Sequence, residues 1–159
     1  MPDDFDLERM LSYRISKLYH RSYAAAAKDI AGRGLALREW RVMALVGPKR
    51  KMRASDLVDG SLMDKASVSR AVATLVERGL LTTEADPSDG RVQRLSLTPA
   101  GRRLHRSVAP TTLARHRAML EALDPAERKA VVAIFDKLIG RLERLTAERP
   151  GPRKPTRRG

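Results

Sequence analysis

The sequence predicts a mainly α-helical chain with one small β-hairpin, and three observations carry that reading. Apolar residues recur at steps of three and four over most of the 159 residues, the spacing of one helical face. Between Leu80 and Leu97 the pattern changes to extended-structure formers around a dense turn cluster, Asp86-Pro87-Ser88-Asp89-Gly90. Helix-starting signals then return twice, at Thr98-Pro99 and at Asp124-Pro125.

The first helix is set by Leu7, Leu11, Ile15, Leu18 and Tyr19 on one face, extended through Ala24 to Ala27, and ended by Gly32 and Gly34. A second runs from about Arg38 to Val46, with Trp40, Met43 and Ala44 inward, and stops at Gly47-Pro48. Lys49, Arg50 and Lys51 follow in a loop. Two short helical segments come next, about Ala54 to Asp59 and about Lys65 to Arg78. In the latter, Val68, Val72, Leu75 and Val76 form the apolar stripe. Asp64 stands where its side chain would cap the first free amides, and Gly79 closes the helix in a left-handed conformation.

The hairpin draws on Thr82, Thr83, Val92, Leu95 and Leu97, with a polar tip of five residues. From Thr98-Pro99 a helix continues to about Leu123, and Pro110 inside it predicts a kink. The last helix opens on Asp124-Pro125-Ala126-Glu127: an N-cap acceptor, a first-turn proline and a carboxylate that returns to the cap amide. Along it Val131, Phe135, Leu138, Leu142 and Leu145 are spaced 4, 3, 4 and 3, the alternation of a coiled-coil seam.

Composition narrows the function classes. The length fits one domain, or a small binding domain sharing a core with oligomerisation helices. At 42% hydrophobic residues the chain can bury a real core. No apolar run approaches the roughly 20 residues of a membrane span, and the first residues are acidic and polar, so a cytoplasmic protein without a membrane partner is expected. The absence of cysteine excludes disulfides, thiolate metal sites and thiol redox sensing. The net charge is +13; removing Arg149, Arg153, Lys154, Arg157 and Arg158 of the Pro/Gly-rich tail still leaves +8. A basic body points to a polyanion, whereas the tail alone reads as a solvated, disordered end.

Two helices, a turn, a third helix and a hairpin make a winged helix-turn-helix. In that arrangement one helix braces another, which enters the DNA major groove, where base pairs are distinguishable. With the stripe inward, the opposite face of the Lys65–Arg78 segment shows Lys65, Ala66, Ser67, Ser69, Arg70, Ala73 and Thr74. Cations beside small hydroxyls suit close approach to phosphates and base edges. Taken alone, such a face is usually just solvated; the hairpin and the basic body decide for DNA. In the hairpin, Asp89 and Arg91 flank Gly90, with Arg94 beyond. A guanidinium at a ribbon tip can enter a narrow A·T-rich minor groove, and a carboxylate two residues away can fix its fork. The alternative is a silent surface pair worth under about 1 kcal/mol.

The runs Met63-Asp64-Lys65-Ala66-Ser67-Val68-Ser69-Arg70, Leu75 to Gly79-Leu80-Leu81, Asp86-Pro87-Ser88-Asp89-Gly90-Arg91 and Leu97-Thr98-Pro99-Ala100-Gly101 together resemble the MarR family of bacterial transcription regulators. The segment Leu37-Arg38-Glu39-Trp40-Arg41-Val42 is similar to that family's second helix. The resemblance spans nearly the whole chain except the tail. It implies a homodimer on a pseudo-palindromic operator in double-stranded DNA, the first helix and the last two interlocking across a two-fold axis. It implies that Asp89 and Arg91 are the minor-groove contact, and that small organic anions, often aromatic, lodge between the dimer helices and the winged domain. Two departures stand out: Thr82 and Thr83 replace basic residues frequent on the first wing strand, and no thiol is present for oxidant sensing.

The expected division is an N-terminal dimerisation helix (1–34), the winged helix-turn-helix (35–98), C-terminal dimerisation helices (99–148) and a basic tail (149–159). The dimer contacts expected are Leu7, Leu11, Ile15, Phe135, Leu138, Leu142 and Leu145. Tyr19, His20, Tyr23, Trp40 and Arg41 combine aromatic bodies with polar tips and could line a site for an aromatic carboxylate. The competing reading puts Tyr19 and Trp40 in the core and His20 at an interface. His105 and His116 are too far apart on one helix to share a metal, so neither metal nor cofactor is expected. No glycine-rich phosphate loop, nucleophile elbow or His-Glu-x-x-His is present, and an enzyme is not expected. A dimeric, effector-released repressor is the first reading. A constitutive or architectural DNA binder and a basic helical interaction module are the alternatives; the last leaves the hairpin after a capped helix unexplained.

Overall fold

The computed structural model describes residues 5–49, 51–89 and 92–148, and the chain divides into two compact units, residues 1–115 and 116–159. Gly90, Arg91 and the basic tail from Arg149 therefore lie outside the described residues.

In the first unit a 3-10 turn at Leu7–Arg9 precedes α1 (Leu11–Ala31). The expected helix thus starts four residues late, because Met10 is extended and Asp6 caps the short turn separately. Arg33 and Gly34 donate back to Ile30 and Ala31, and Gly34, at φ +66°, turns the chain out. Only Ala26 and Ile30 of α1 are buried; Leu11, Leu18 and Tyr19 of the predicted face stay exposed.

Helix α2 (Leu37–Val46) buries Trp40, Val42, Met43 and Val46, while Ala44 is half-buried. A short strand, β1 (Met52–Arg53), and α3 (Ala54–Ser61) follow. β1 takes the two residues between the expected loop at 49–51 and α3, where no strand was expected, and α3 runs two residues beyond Asp59. Leu62 then takes a left-handed conformation at φ +55° to make the turn into α4 (Lys65–Glu77). The inward stripe of α4 is Val68, Ala71 and Leu75, with Val72 half-buried; Val76 is 39% exposed, contrary to the sequence reading. At about 100° per residue, positions 68, 75 and 71 fall within about 60° of one another, whereas 76 lies about 80° from 68 on the opposite side. Gly79, at φ +64°, ends α4 with Gly79 donating to Val76 and Leu80 to Leu75, the paired bonds of a Schellman cap.

The wing comprises β2 (Leu81–Ala85) and β3 (Gln93–Leu97). It is one strand richer than the expected hairpin, since β1 adds to its edge in the antiparallel order β1-β3-β2. Met52 stands opposite Leu95 and Leu81 opposite Leu97, so one face of the sheet closes the core. Thr98 caps α5 (Pro99–Leu120): its hydroxyl accepts from Gly101 at 3.0 Å and donates to the Gly79 carbonyl at 2.7 Å. The N-terminus of α5 is thereby pinned to the end of α4. Helix α5 runs through Pro110 and stops three residues short of Leu123, whose amide turns back to Leu120 at 3.1 Å.

In the second unit, Asp124 Oδ1 accepts from Ala126 and Glu127 while Glu127 Oε2 accepts from the Asp124 amide, the capping box expected for α6 (Pro125–Glu148). Arg128 Nε donates to the Leu120 and Leu123 carbonyls and closes the corner. Helix α6 buries none of its residues; Leu142 is 63% exposed, and Val131, Phe135 and Leu138 are only half-buried.

Candidate nucleic-acid interface

Helix α4 turns its polar face outward. Lys65, Ala66, Ser69, Arg70 and Ala73 are exposed and Ser67 and Thr74 half-buried. Asp64 caps the helix by accepting from the Ser67 amide at 2.8 Å. Its other oxygen accepts from the Ser67 hydroxyl at 2.6 Å, and Arg70 Nη2 donates to that hydroxyl at 3.1 Å. The Ser67 bonds first, and Arg70 after them, hold the Asp64 carboxyl below its ordinary range. Thr74 donates to the Arg70 carbonyl at 3.0 Å, so its hydroxyl proton is used within the helix.

The turn and the C-terminal end of the helix-turn-helix are both tied to α2. Glu39, 5% exposed, accepts from the Ala36 amide and from Arg78 Nη1, each at 3.0 Å. Arg41 Nη1 reaches the Ser61 carbonyl at 3.5 Å. The sequence reading had no role for Glu39; a carboxylate at the third position of a helix looks like an ordinary capping residue until Arg78 arrives from the end of α4.

In the wing, Asp86 is 4% exposed and accepts from the Ser88 amide at 2.9 Å, from the Ser88 hydroxyl at 2.6 Å and from Arg94 Nε. These bonds, those of Ser88 foremost, hold its carboxyl far below the usual range. The Asp86 amide donates to Val92 at 2.8 Å and the Val92 amide to Asp89 at 2.9 Å, closing the loop that carries Asp89. Arg94, expected at the DNA, has an ion-pair partner inside the wing. Arg91 lies outside the described residues. Lys51, just before β1, pairs with Glu84 of β2 at 2.6 Å, and Arg53 stands opposite Arg94.

Four of the five expected effector residues line one cavity of about 230 Å³: Tyr19, Tyr23, Trp40 and Arg41, joined by Arg115. A neighbouring cavity of about 370 Å³ shares Tyr19, Tyr23 and Arg41 and extends to Arg38, Asp64 and Ser67. His20 is not on either wall; its ring lies edge-on to Tyr19 at 5.7 Å. Trp40 is buried as the competing reading required, but Tyr19 is 51% exposed and is not core. Arg115, brought over by α5 and paired with Asp29 at 2.6 Å, was not legible because nothing local links residue 115 to α1. A larger apolar cavity of about 650 Å³ lies between α3, α4 and the sheet. Among the described residues no group of His, Asp or Glu is placed to hold a metal, and no helix is long and apolar enough to cross a membrane.

The family model described as MarR family matches residues 33–92. An uncharacterized HTH-type transcriptional regulator of Bacillus subtilis is 28% identical over 92 residues, which are 58% of this chain and 62% of that protein, so the match spans less than two thirds of that relative. A MarR family transcriptional regulator of Silicibacter pomeroyi superposes with a TM-score of 0.73 at 30% identity, covering 86% of this chain and 99% of the other. BpsR of Bordetella bronchiseptica, whose DNA binding is regulated by 6-hydroxynicotinic acid, superposes with a TM-score of 0.76 at 25% identity, covering 84% and 96%.

Proposed function

The chain belongs to the MarR family of transcription regulators, and from that premise we propose that it acts as a homodimeric repressor released from a pseudo-palindromic operator by a small aromatic anion. The observation that carries the reading is the outward face of α4, where Lys65, Ser69 and Arg70 stand exposed on a helix whose other face is locked into the core beside the wing. Two such helices set about 34 Å apart enter successive major grooves. Asp89 and Arg91 of the wing then address the flanking minor groove. The uncovered apolar residues of α1 and α6 support the homodimer: Leu11, Leu18, Ile134, Ile139 and Leu142 are each more than half exposed.

The Tyr19–Tyr23–Trp40 cavity suits the effector, because aromatic walls converge there with the Arg41 guanidinium, which can bond a carboxylate, and with the charge of Arg115, whose Nη1 is engaged by Asp29. Its 230 Å³ falls below the roughly 300–1,000 Å³ of drug-sized pockets, which favours a single-ring acid. The regulation of BpsR by 6-hydroxynicotinic acid supports this class. The apolar cavity beside α4 has no guanidinium and is a poorer match for an anion. Residues of this chain bind and position; no catalytic step is assigned to them. The site of action is the cytoplasm.

Titration of the full chain onto a duplex from its own promoter region, with and without a panel of aromatic acids, tests the reading. A steep fall of affinity with salt, a large preference over random duplex and release by one acid are expected. Equal affinity for every duplex would defeat operator recognition. Specific binding that no acid relieves would leave a constitutive binder instead.

A further inference from the structure

We infer that Ser67 is a positioning residue, not a DNA contact, and that with Asp64 it presets the Arg70 guanidinium to read one guanine in each operator half-site. The inference rests on the operator reading above and assigns the specificity within it. A serine hydroxyl has one proton to donate and two lone pairs. Here the proton goes to Asp64 Oδ2 at 2.6 Å, and a lone pair receives Arg70 Nη2 at 3.1 Å. The result is a directed chain of carboxylate, hydroxyl and guanidinium, in which each bond polarises the next.

The chain is anchored at its origin. Asp64 Oδ1 caps α4 through the Ser67 amide at 2.8 Å, so the carboxylate cannot turn towards a base without uncapping the helix. Its acidity is raised by those same bonds, which keeps the charge in place wherever duplex DNA is stable.

The far end of the chain is free to act. Arg70 is exposed and is the one arginine within α4. Of its five N–H donors the chain uses one, leaving a planar pair for the O6 and N7 acceptors of guanine. Bonding to a residue three positions back draws the guanidinium towards the N-terminus of α4, the end that meets base edges in helix-turn-helix proteins. Fixing a long side chain before DNA arrives also removes part of its ordering cost on binding. Neighbours cannot substitute: Lys65 offers a single ammonium, and the Thr74 proton is committed to the Arg70 carbonyl.

Selection of the full chain on a randomised duplex library, followed by titration of the selected duplex and of one with the guanine replaced, tests the assignment. Wild type should lose about 5–150-fold on the replaced duplex. Arg70→Ala should bind both duplexes alike. Ser67→Ala keeps the capped amide, so its melting temperature should hold; it should lose most of the guanine preference while affinity for random duplex stays within about twofold. Ser67→Thr, which retains the hydroxyl, should restore the preference, and Ser67→Ala/Arg70→Ala should be no worse than Arg70→Ala alone. A uniform loss in Ser67→Ala on every duplex would make the hydroxyl a phosphate contact and overturn the assignment. So would an Arg70→Ala protein that still prefers guanine. If wild type selects a sequence while these variants keep it, only this assignment fails; if wild type selects none, operator recognition fails with it.

Discussion

Gly101 carries the tightest steric requirement in the described chain. A Cβ there would lie 2.0 Å from the Leu80 carbonyl oxygen, a backbone atom that the Thr98 amide holds at 3.1 Å. Gly101→Ala should therefore destabilise the protein by about 1–3 kcal/mol, read as a lower urea midpoint at unchanged slope. An unmoved midpoint would mean that α5 can withdraw freely from the end of α4. His105 is a second case of close fit: its ring packs on Trp40 at 5.3 Å and covers Gly47, where a Cβ would meet it at 2.5 Å. Burial first, and Arg106 second, hold its imidazole below the ordinary 6.5. The unfolded chain then binds that proton more readily, so the contribution to stability is complete above 6.5, falls as pH drops through that value and levels off below the folded value. Melting at pH 8 and pH 5 should show a larger drop for wild type than for His105→Gln; equal drops would remove His105 from the acid response. In the sequence His105 could only be weighed as a metal ligand and set aside, because what covers it comes from α2.

The wing shows how an element is held by a residue that looks incidental. Asp86 reads locally as one more turn former, and as such it does bond Ser88. Its burial and its pairing with Arg94 depend on β3 returning beside β2 in the register that places Ala85 against Gln93. Arg94→Ala should leave the helices intact, speed hydrogen exchange at the Ser88 and Val92 amides, and weaken operator binding through the wing. Unchanged exchange would show that the Ser88 bonds suffice. Because the Asp86 carboxyl is held below its ordinary 3.8, these bonds persist above that value and are lost only as pH falls through the lower folded value. Strand β1 was illegible for a related reason. Its two residues carry no period of their own and exist as a strand only through Leu95 and Arg94. The stripe of α4 was mostly readable; Val76 was misassigned because Ala71, too small to stand out in an apolar pattern, is the fully buried residue, while Val76 lies at the edge of the stripe and stays 39% exposed.

For the molecule as a whole, the unburied seam of α6 has the largest consequence. A helix that fully buries none of its Val, Ile, Leu and Phe side chains within one chain, and leaves Val132, Ile134, Ile139 and Leu142 more than half exposed, needs an apolar partner. Leu138→Lys combined with Leu142→Lys should convert a sedimenting dimer into a monomer, since charges would occupy the seam. Wild-type melting should rise with protein concentration and that of the variant should not. A variant that stays dimeric would shift the interface away from α6 and towards the exposed face of α1.

The order of helices, the caps at Asp64, Thr98 and Asp124, the left-handed Gly79 and the basic face of α4 were all fixed by neighbours within a few residues. Capping, periodicity and turn chemistry act over one or two helical turns, so a linear reading reaches them. Glu39 with Arg78, Asp86 with Arg94, Asp29 with Arg115 and the strand at Met52 arose only on folding. Each joins residues that no local rule relates, and each exists because packing the core brought two elements within hydrogen-bonding distance. The same division runs through the exposed face of α4: the sequence supplied its residue types, and folding determined which of them bond each other.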